Sequence, residues 1–327
     1  MLVDRFPETV DMQPELVAYH YAEAGLAEQA LPYWQAAGQR AMQQSAHTEA
    51  IQHLTTALEV LSRLPPAPEH LQLELVLQTM LGVPLMTTKG WAAPEAKQTF
   101  SRAYELSQQL EETPELFPVL YGLVTYYGTR AEYQTAQPLA QQCLRLAQRA
   151  QDGSLLLMAE YANCTTLHTG DFVRAQELSE HVVQQYDPLQ HGALGFRFGI
   201  DPGVVCGIYA ACSAWYLGYP DHAFKRAQDT LALAQNVSHS GSRTGAVLLA
   251  LVYLSRGEAT LAQELAERSL AEETEKGLIF NAQFAKILGA LPWRNRGGQT
   301  RAWPCGRRAG TLYKPWIAAF AIACFCS

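Results

Sequence analysis

Apolar side chains recur along this chain every three to four residues, the period that gathers them on one face of an α-helix. In Thr48–Leu64 the stripe is Ile51, Leu54, Leu58 and Leu61, with polar residues between. Pro14–Gly25 carries Leu16, Tyr19, His20 and Ala24 at helical spacing, with Pro14 suited to a first turn and Gly25 to a helix end. The same periodicity predicts helices over 26–44, 69–81, 91–110, 115–127, 132–151, 154–169, 172–186, 204–217, 220–237, 242–256 and 259–276, with a further start at Ile279. No alternating run is strong enough to be read as a strand. Pro65-Pro66-Ala67-Pro68 forms the stiffest turn, since proline donates no amide and restricts the residue before it.

A second pattern overlies the stripes. Seven times a small residue, or once Trp91, is followed five positions later by alanine and seven positions after that by another compact residue. The series is Gly25/Ala30/Ala37, Ser45/Ala50/Ala57, Trp91/Ala96/Ala103, Ala131/Ala136/Cys143, Gly170/Ala175/Val182, Gly218/Ala223/Thr230 and Gly257/Ala262/Ser269. Seven residues are two helical turns, so each alanine and its compact partner share a face that a neighbouring backbone can approach closely. Successive alanines are 20, 46, 40, 39, 48 and 39 residues apart, within the range of helical-hairpin solenoids. The expected fold is all-α, a right-handed superhelix of antiparallel helix hairpins with Ala30, Ala50, Ala96, Ala136, Ala175, Ala223 and Ala262 as packing positions. Pro32 and Pro138 each fall two residues after a repeat alanine and imply either a kink or a late helix start.

With 327 residues and 48% apolar content the chain can bury a large core, which in a repeat array is one continuous ribbon. Seven cysteines without paired spacing fit a reducing compartment. The N-terminus lacks the apolar run of a signal peptide, and no stretch reaches the roughly 18 apolar residues of a membrane-spanning helix, so a soluble cytoplasmic protein is expected. Six of the 24 basic residues lie in 292–327, which has no acids; the remaining 18 face 31 acids, a net −13 over 1–291. Such a body repels phosphate backbones, and no nucleic-acid partner is expected.

The stretches PELVAYHYAEAGLAEQALPYWQAAGQRA at 14–41, SAHTEAIQHLTTALEVL at 45–61, TKGWAAPE at 88–95 and DPGVVCGIYAACSAWYLGYPDHA at 201–223 carry a family resemblance. Through them residues 1 to about 290 resemble the C-terminal tetratricopeptide-like region of large bacterial regulators that join a nucleotide-cyclase-like domain to a predicted ATPase. That region is similar to the superhelical repeats of maltose-regulon-activator-type ATPases. The resemblance implies a module that senses a ligand or protein segment and controls upstream ATPase and cyclase domains. It also implies that Met1 lies just after the ATPase portion, making the chain a fragment or truncated product. The chain has no Gly-x-x-x-x-Gly-Lys-Ser/Thr phosphate loop and no aspartate pair in a cyclase context, so no catalytic residue carries over and no enzyme activity or cofactor is expected.

Composition changes near Ala290. Residues 291–327 hold three of the six tryptophans and no acid. Codons TGG CGG AAC AGG GGC for 293–297, begun at their third base, read Ala-Glu-Gln-Gly, so a frameshift accounts for an aberrant, poorly ordered tail. Its apolar end is too short to span a bilayer, and Cys324-Phe325-Cys326-Ser327 matches a prenylation box only by coincidence in a bacterial-looking chain.

The 48-residue interval between Ala175 and Ala223 exceeds its neighbours by nine, and the surplus falls in residues 186–203. Long loops on a rigid solenoid commonly carry binding groups. Here Arg197 offers a carboxylate or phosphate clamp, Phe196 and Phe198 an apolar surface, and His191 and Asp201 polar contacts, for a protein segment or small effector in the concave groove. The structural reading of the same residues is an ordered connection whose phenylalanines plug the core and whose Asp201-Pro202-Gly203 caps a turn. A thiol hydrolase would need Cys206 or Cys164 beside His168, His181 or His191, yet Cys206 and Cys212 sit in an apolar helix. The nine histidines form no tight ligand pair, so no metal is expected, and Tyr126-Tyr127 and Trp215-Tyr216 read as core.

Overall fold

The computed structural model describes residues 12–65, 67–110, 115–167, 171–237, 245–276 and 285–286. The boundary near 290, the aberrant tail, Gly170 and His168 lie outside them, as does the expected helix from Ile279 except for the helical residues 285–286. The helices are α1 (Pro14–Glu23), α2 (Ala27–Gln43), α3 (His47–Ser62), α4 (Pro68–Lys89), α5 (Pro94–Ser107), α6 (Leu116–Thr129), α7 (Tyr133–Ala150), α8 (Gly153–Leu167) and α9 (Phe172–Gln185). After them come two short helices, α10 (Pro188–His191) and α11 (Leu194–Phe198). The chain continues through α12 (Pro202–Leu217), α13 (Pro220–Asn236), a 3-10 turn Ala246–Leu249 leading into α14 (Ala250–Arg256), and α15 (Ala259–Lys276). No strand is present among the described residues, and none of their helices is long and apolar enough to cross a membrane.

Consecutive long helices pack antiparallel, and a second set of contacts joins α2 to α4, α4 to α6, α6 to α8, α8 to α12 and α12 to α14. These inner helices stack on one another while α3, α5, α7, α9, α13 and α15 back them, the architecture of a tetratricopeptide-like right-handed superhelix. Helix α2 serves both as partner of α1 and as first member of the next pair, which produces the short 20-residue interval. Ala30, Ala50, Ala96, Ala136 and Ala223 are completely buried, Ala175 and Ala262 nearly so.

The first member of each small–alanine–small mark has a different job from helix packing. Gly25, Gly218 and Gly257 have φ of 74°, 91° and 92°, and Ser45 and Ala131 have 57° and 58°. These are the left-handed residues that turn one helix into the next, where a side chain is strained. Trp91 breaks the rule because the turn there falls one residue earlier, at Gly90 with φ 105°.

The largest departure from the periodic bounds is at the end of α4, and the two repeat prolines prove to lie inside their helices. Helix α4 runs on through Pro84 to Lys89, eight residues beyond the expected stop. Pro32 and Pro138 lie inside α2 and α7, which start on time at Ala27 and Tyr133. Both prolines are exposed, as are Glu28 and Gln134, whose carbonyls lose an amide partner, so each proline falls on the solvent side of its helix.

Glycines on the inner helices admit large side chains from the backing ones. A methyl group on Gly82 of α4 would stand 2.2 Å from the Phe100 ring of α5, and one on Gly122 of α6 would stand 2.4 Å from it. Phe100 is 1% exposed and therefore wedges between two successive inner helices. Leu54 fits against Gly38 and Thr230 against Gly207 in the same manner. Between hairpins, Arg226 of α13 binds both carboxylate oxygens of Glu180 on α9.

Candidate functional site

The residues singled out between α9 and α12 form a closed, internally bonded loop. Its two ends meet where the Tyr186 hydroxyl donates to Asp201 Oδ2 at 2.5 Å. Gly203 makes the approach possible, since a Cβ there would lie 2.5 Å from the Tyr186 ring. Asp201 Oδ1 accepts the Val204 amide at 3.0 Å and so caps α12. Asp187 caps α10 likewise, accepting from the Leu189 amide at 2.9 Å. Its own amide donates to His191 Nδ1 at 2.9 Å, which places the proton of a neutral His191 ring on Nε2.

Burial then separates the candidates. Asp201 is fully enclosed and His191 is buried, both turned into the base of the loop. Burial pushes the Asp201 carboxyl above its ordinary 3.8, against the opposing pull of the Tyr186 hydrogen bond. The Tyr186 phenol is pushed up by burial and by its bond to that carboxylate. Phe198 is 1% exposed, its ring edge-on to Tyr121 at 5.2 Å and Phe117 at 5.8 Å, both on α6. Arg197 is exposed, its guanidinium 5.1 Å above the Phe198 ring, and Phe196 is half-buried. The structure thus places His191 and Asp201 at the base of the loop, seats Phe198 against α6 and leaves Arg197 on the outer surface.

The loop lies on the inner helices. Gly199, with φ 77°, sits so that a Cβ would touch Val83 at 3.3 Å, Trp91 at 3.4 Å and Thr87 at 3.9 Å. Helix α11 therefore reaches back past α8 and α6 to α4, and Leu194 and Phe198 join the core cluster of α6, α8 and α12. Inner-face residues Val83, Trp91, Phe117 and Tyr121 complete this region and are absent from the sequence-derived set. One signal for them exists: Tyr121, Tyr161 and Tyr209 are spaced 40 and 48 residues apart, the repeat interval itself. Their rings follow one another at 6.2 Å and 6.3 Å.

The thiols are placed for packing. Cys143, Cys164 and Cys206 are 0% exposed. Burial raises Cys143 and Cys212 to about 12 and Cys206 well above the ordinary thiol value, away from the thiolate that nucleophilic chemistry needs. His181 contacts Glu160 at 3.0 Å, and His191 is held by Asp187. Among the described residues no group of three His, Cys, Asp or Glu side chains is arranged to hold a metal ion.

The fold is that of a tetratricopeptide-like helical repeat. A Rap protein, solved in complex with Competence and Sporulation Factor, has a similar structure: the TM-score is 0.55 with 12% sequence identity, over 80% of this chain and 81% of that one. An uncharacterized protein of Rhizobium meliloti (strain 1021) is 23% identical over 231 residues, 69% of this chain. The match spans 22% of that relative's length. No protein-family profile matches the chain.

Proposed function

We propose that this chain is a non-catalytic regulatory repeat module that engages a protein segment or small effector, within a longer signalling regulator of the ATPase/cyclase type. The observation that carries the binding role is the seating of α11 on the inner face, where Phe198 is enclosed by α6 and Gly199 abuts α4. A face that accepts one helical turn with an apolar anchor has the chemistry of a segment-binding groove. The similar Rap structure, complexed with Competence and Sporulation Factor, supports a binding role for this fold, and the far greater length of the R. meliloti relative supports a module within a larger chain. The buried thiols, raised in pKa, support the absence of a cysteine nucleophile.

A thermal-shift series with peptides, sugars and nucleotides tests the reading. A ligand that binds only the folded chain at 100 times its Kd adds about 2.7 kcal/mol of stability. The expected outcome is a shift from one class. No shift from any class defeats the effector role and leaves an interaction scaffold, while turnover abolished by Cys206→Ala overturns the non-catalytic assignment.

A further inference from the structure

We infer that α11 is a resident ligand of the superhelix: the inner face of α4, α6 and α8 is a receptor for a short amphipathic helix, occupied in this state by the chain's own Leu194–Phe198 turn. This deepens the binding role proposed above and rests on it. The nine extra residues of this connection are unnecessary for joining two helices, since the neighbouring repeats manage with intervals of 39. The surplus forms α10 and α11, closed at the base by the Tyr186–Asp201 hydrogen bond and by the two aspartate caps. A compact segment with joined ends, packed by its own side chains, has the form of an Ω-loop. Glycines at 192, 195, 199 and 203 lie along it, and Gly199 takes the left-handed conformation that ends α11.

The seated turn specifies its competitor. Leu194 and Phe198, 6% and 1% exposed, are spaced i and i+4, the anchor spacing by which an amphipathic helix enters an apolar groove. Phe198 meets Phe117 and Tyr121. Gly199 permits close approach to Val83 and Trp91. Arg197 stays outside the groove over the Phe198 ring. The partner is therefore a protein segment with a leucine and a phenylalanine one helical turn apart, followed directly by glycine. It binds by displacing α11.

The probe is a synthetic peptide of residues 187–200, measured by fluorescence anisotropy against three forms of the chain: wild type, Leu194→Ala/Phe198→Ala, and a form with 187–200 replaced by a short glycine linker. The peptide is expected to bind the two altered forms saturably and wild type at least tenfold more weakly. Replacing its phenylalanine by alanine should cost roughly 10- to 100-fold in affinity. Equal binding to wild type, or no binding to an altered form that melts cooperatively, overturns the inference. Hydrogen exchange on wild type decides it even if the altered forms do not fold. Amides of 194–199 should exchange faster than those of α6 and α8, and equal protection means that α11 is an inseparable part of the core. That result leaves the thermal-shift test of partner binding untouched.

Discussion

Gly82 and Gly122 leave no room for a methyl group against the Phe100 ring. Gly82→Ala is expected to cost about 1–3 kcal/mol by overpacking, despite alanine's better helix propensity. Phe100→Leu in the same chain should recover part of the loss, so denaturant titration of the two single variants and the double variant gives non-additive energies; additive losses would refute the wedge. Ala131 presents the opposite case, an exposed non-glycine residue at φ 58°. Ala131→Gly relieves roughly 1–2 kcal/mol of left-handed strain against roughly 0.5–1 for the freer unfolded chain. The expected net gain of about 0.5–1 kcal/mol appears as a raised melting midpoint, and a lowered one would contradict the strain. Positions 25, 45, 131, 218 and 257 were visible in the sequence as small residues five before an alanine. Their backbone role was not, because a compact side chain looks the same whether packing or a positive φ requires it.

At the scale of elements, the insertion carries a pH dependence that α-helical periodicity gives no hint of. The Asp201 carboxyl is raised above its ordinary 3.8, chiefly by burial, so the folded chain holds that proton more tightly than the unfolded one. Its contribution is fully present below the unfolded value and is lost as pH rises through the higher folded value. Asp201→Asn keeps an oxygen for the Val204 amide, and its stability profile should lose that downward slope just above pH 3.8. An unchanged slope in urea titrations across the acid range would show that another group is responsible. The enlarged connection was legible by counting, since 48 exceeds 39. Its course was not: Phe198 meets α6 and Gly199 meets α4 through contacts roughly 80 to 115 residues away in sequence, and no local pattern encodes them. The overlong α4 was missed for a related reason. Pro84 and Gly82 read as breakers locally, while burial of Leu81 through Thr87 holds the helix together.

The whole molecule is a row of pairs stabilised mainly by their neighbours. Helix α1 packs on α2 and leaves Leu16 and Tyr19, with Met12 just before it, exposed along one side. Its amides are expected to exchange through local opening, well below the protection of α6, α8 and α12; uniform protection along the array would show that it unfolds as one unit. A plain solenoid is also an elastic coil, since no contact links turns that are not adjacent. The Gly199 contact with α4 adds such a link, running from the base of α12 back across the intervening turns. It is a strut across a spring. If α11 leaves its seat as inferred above, the stretch between α4 and α12 loses this link and is expected to bend more easily. On that inference, occupancy of a small groove would set the stiffness of the coil between α4 and α12.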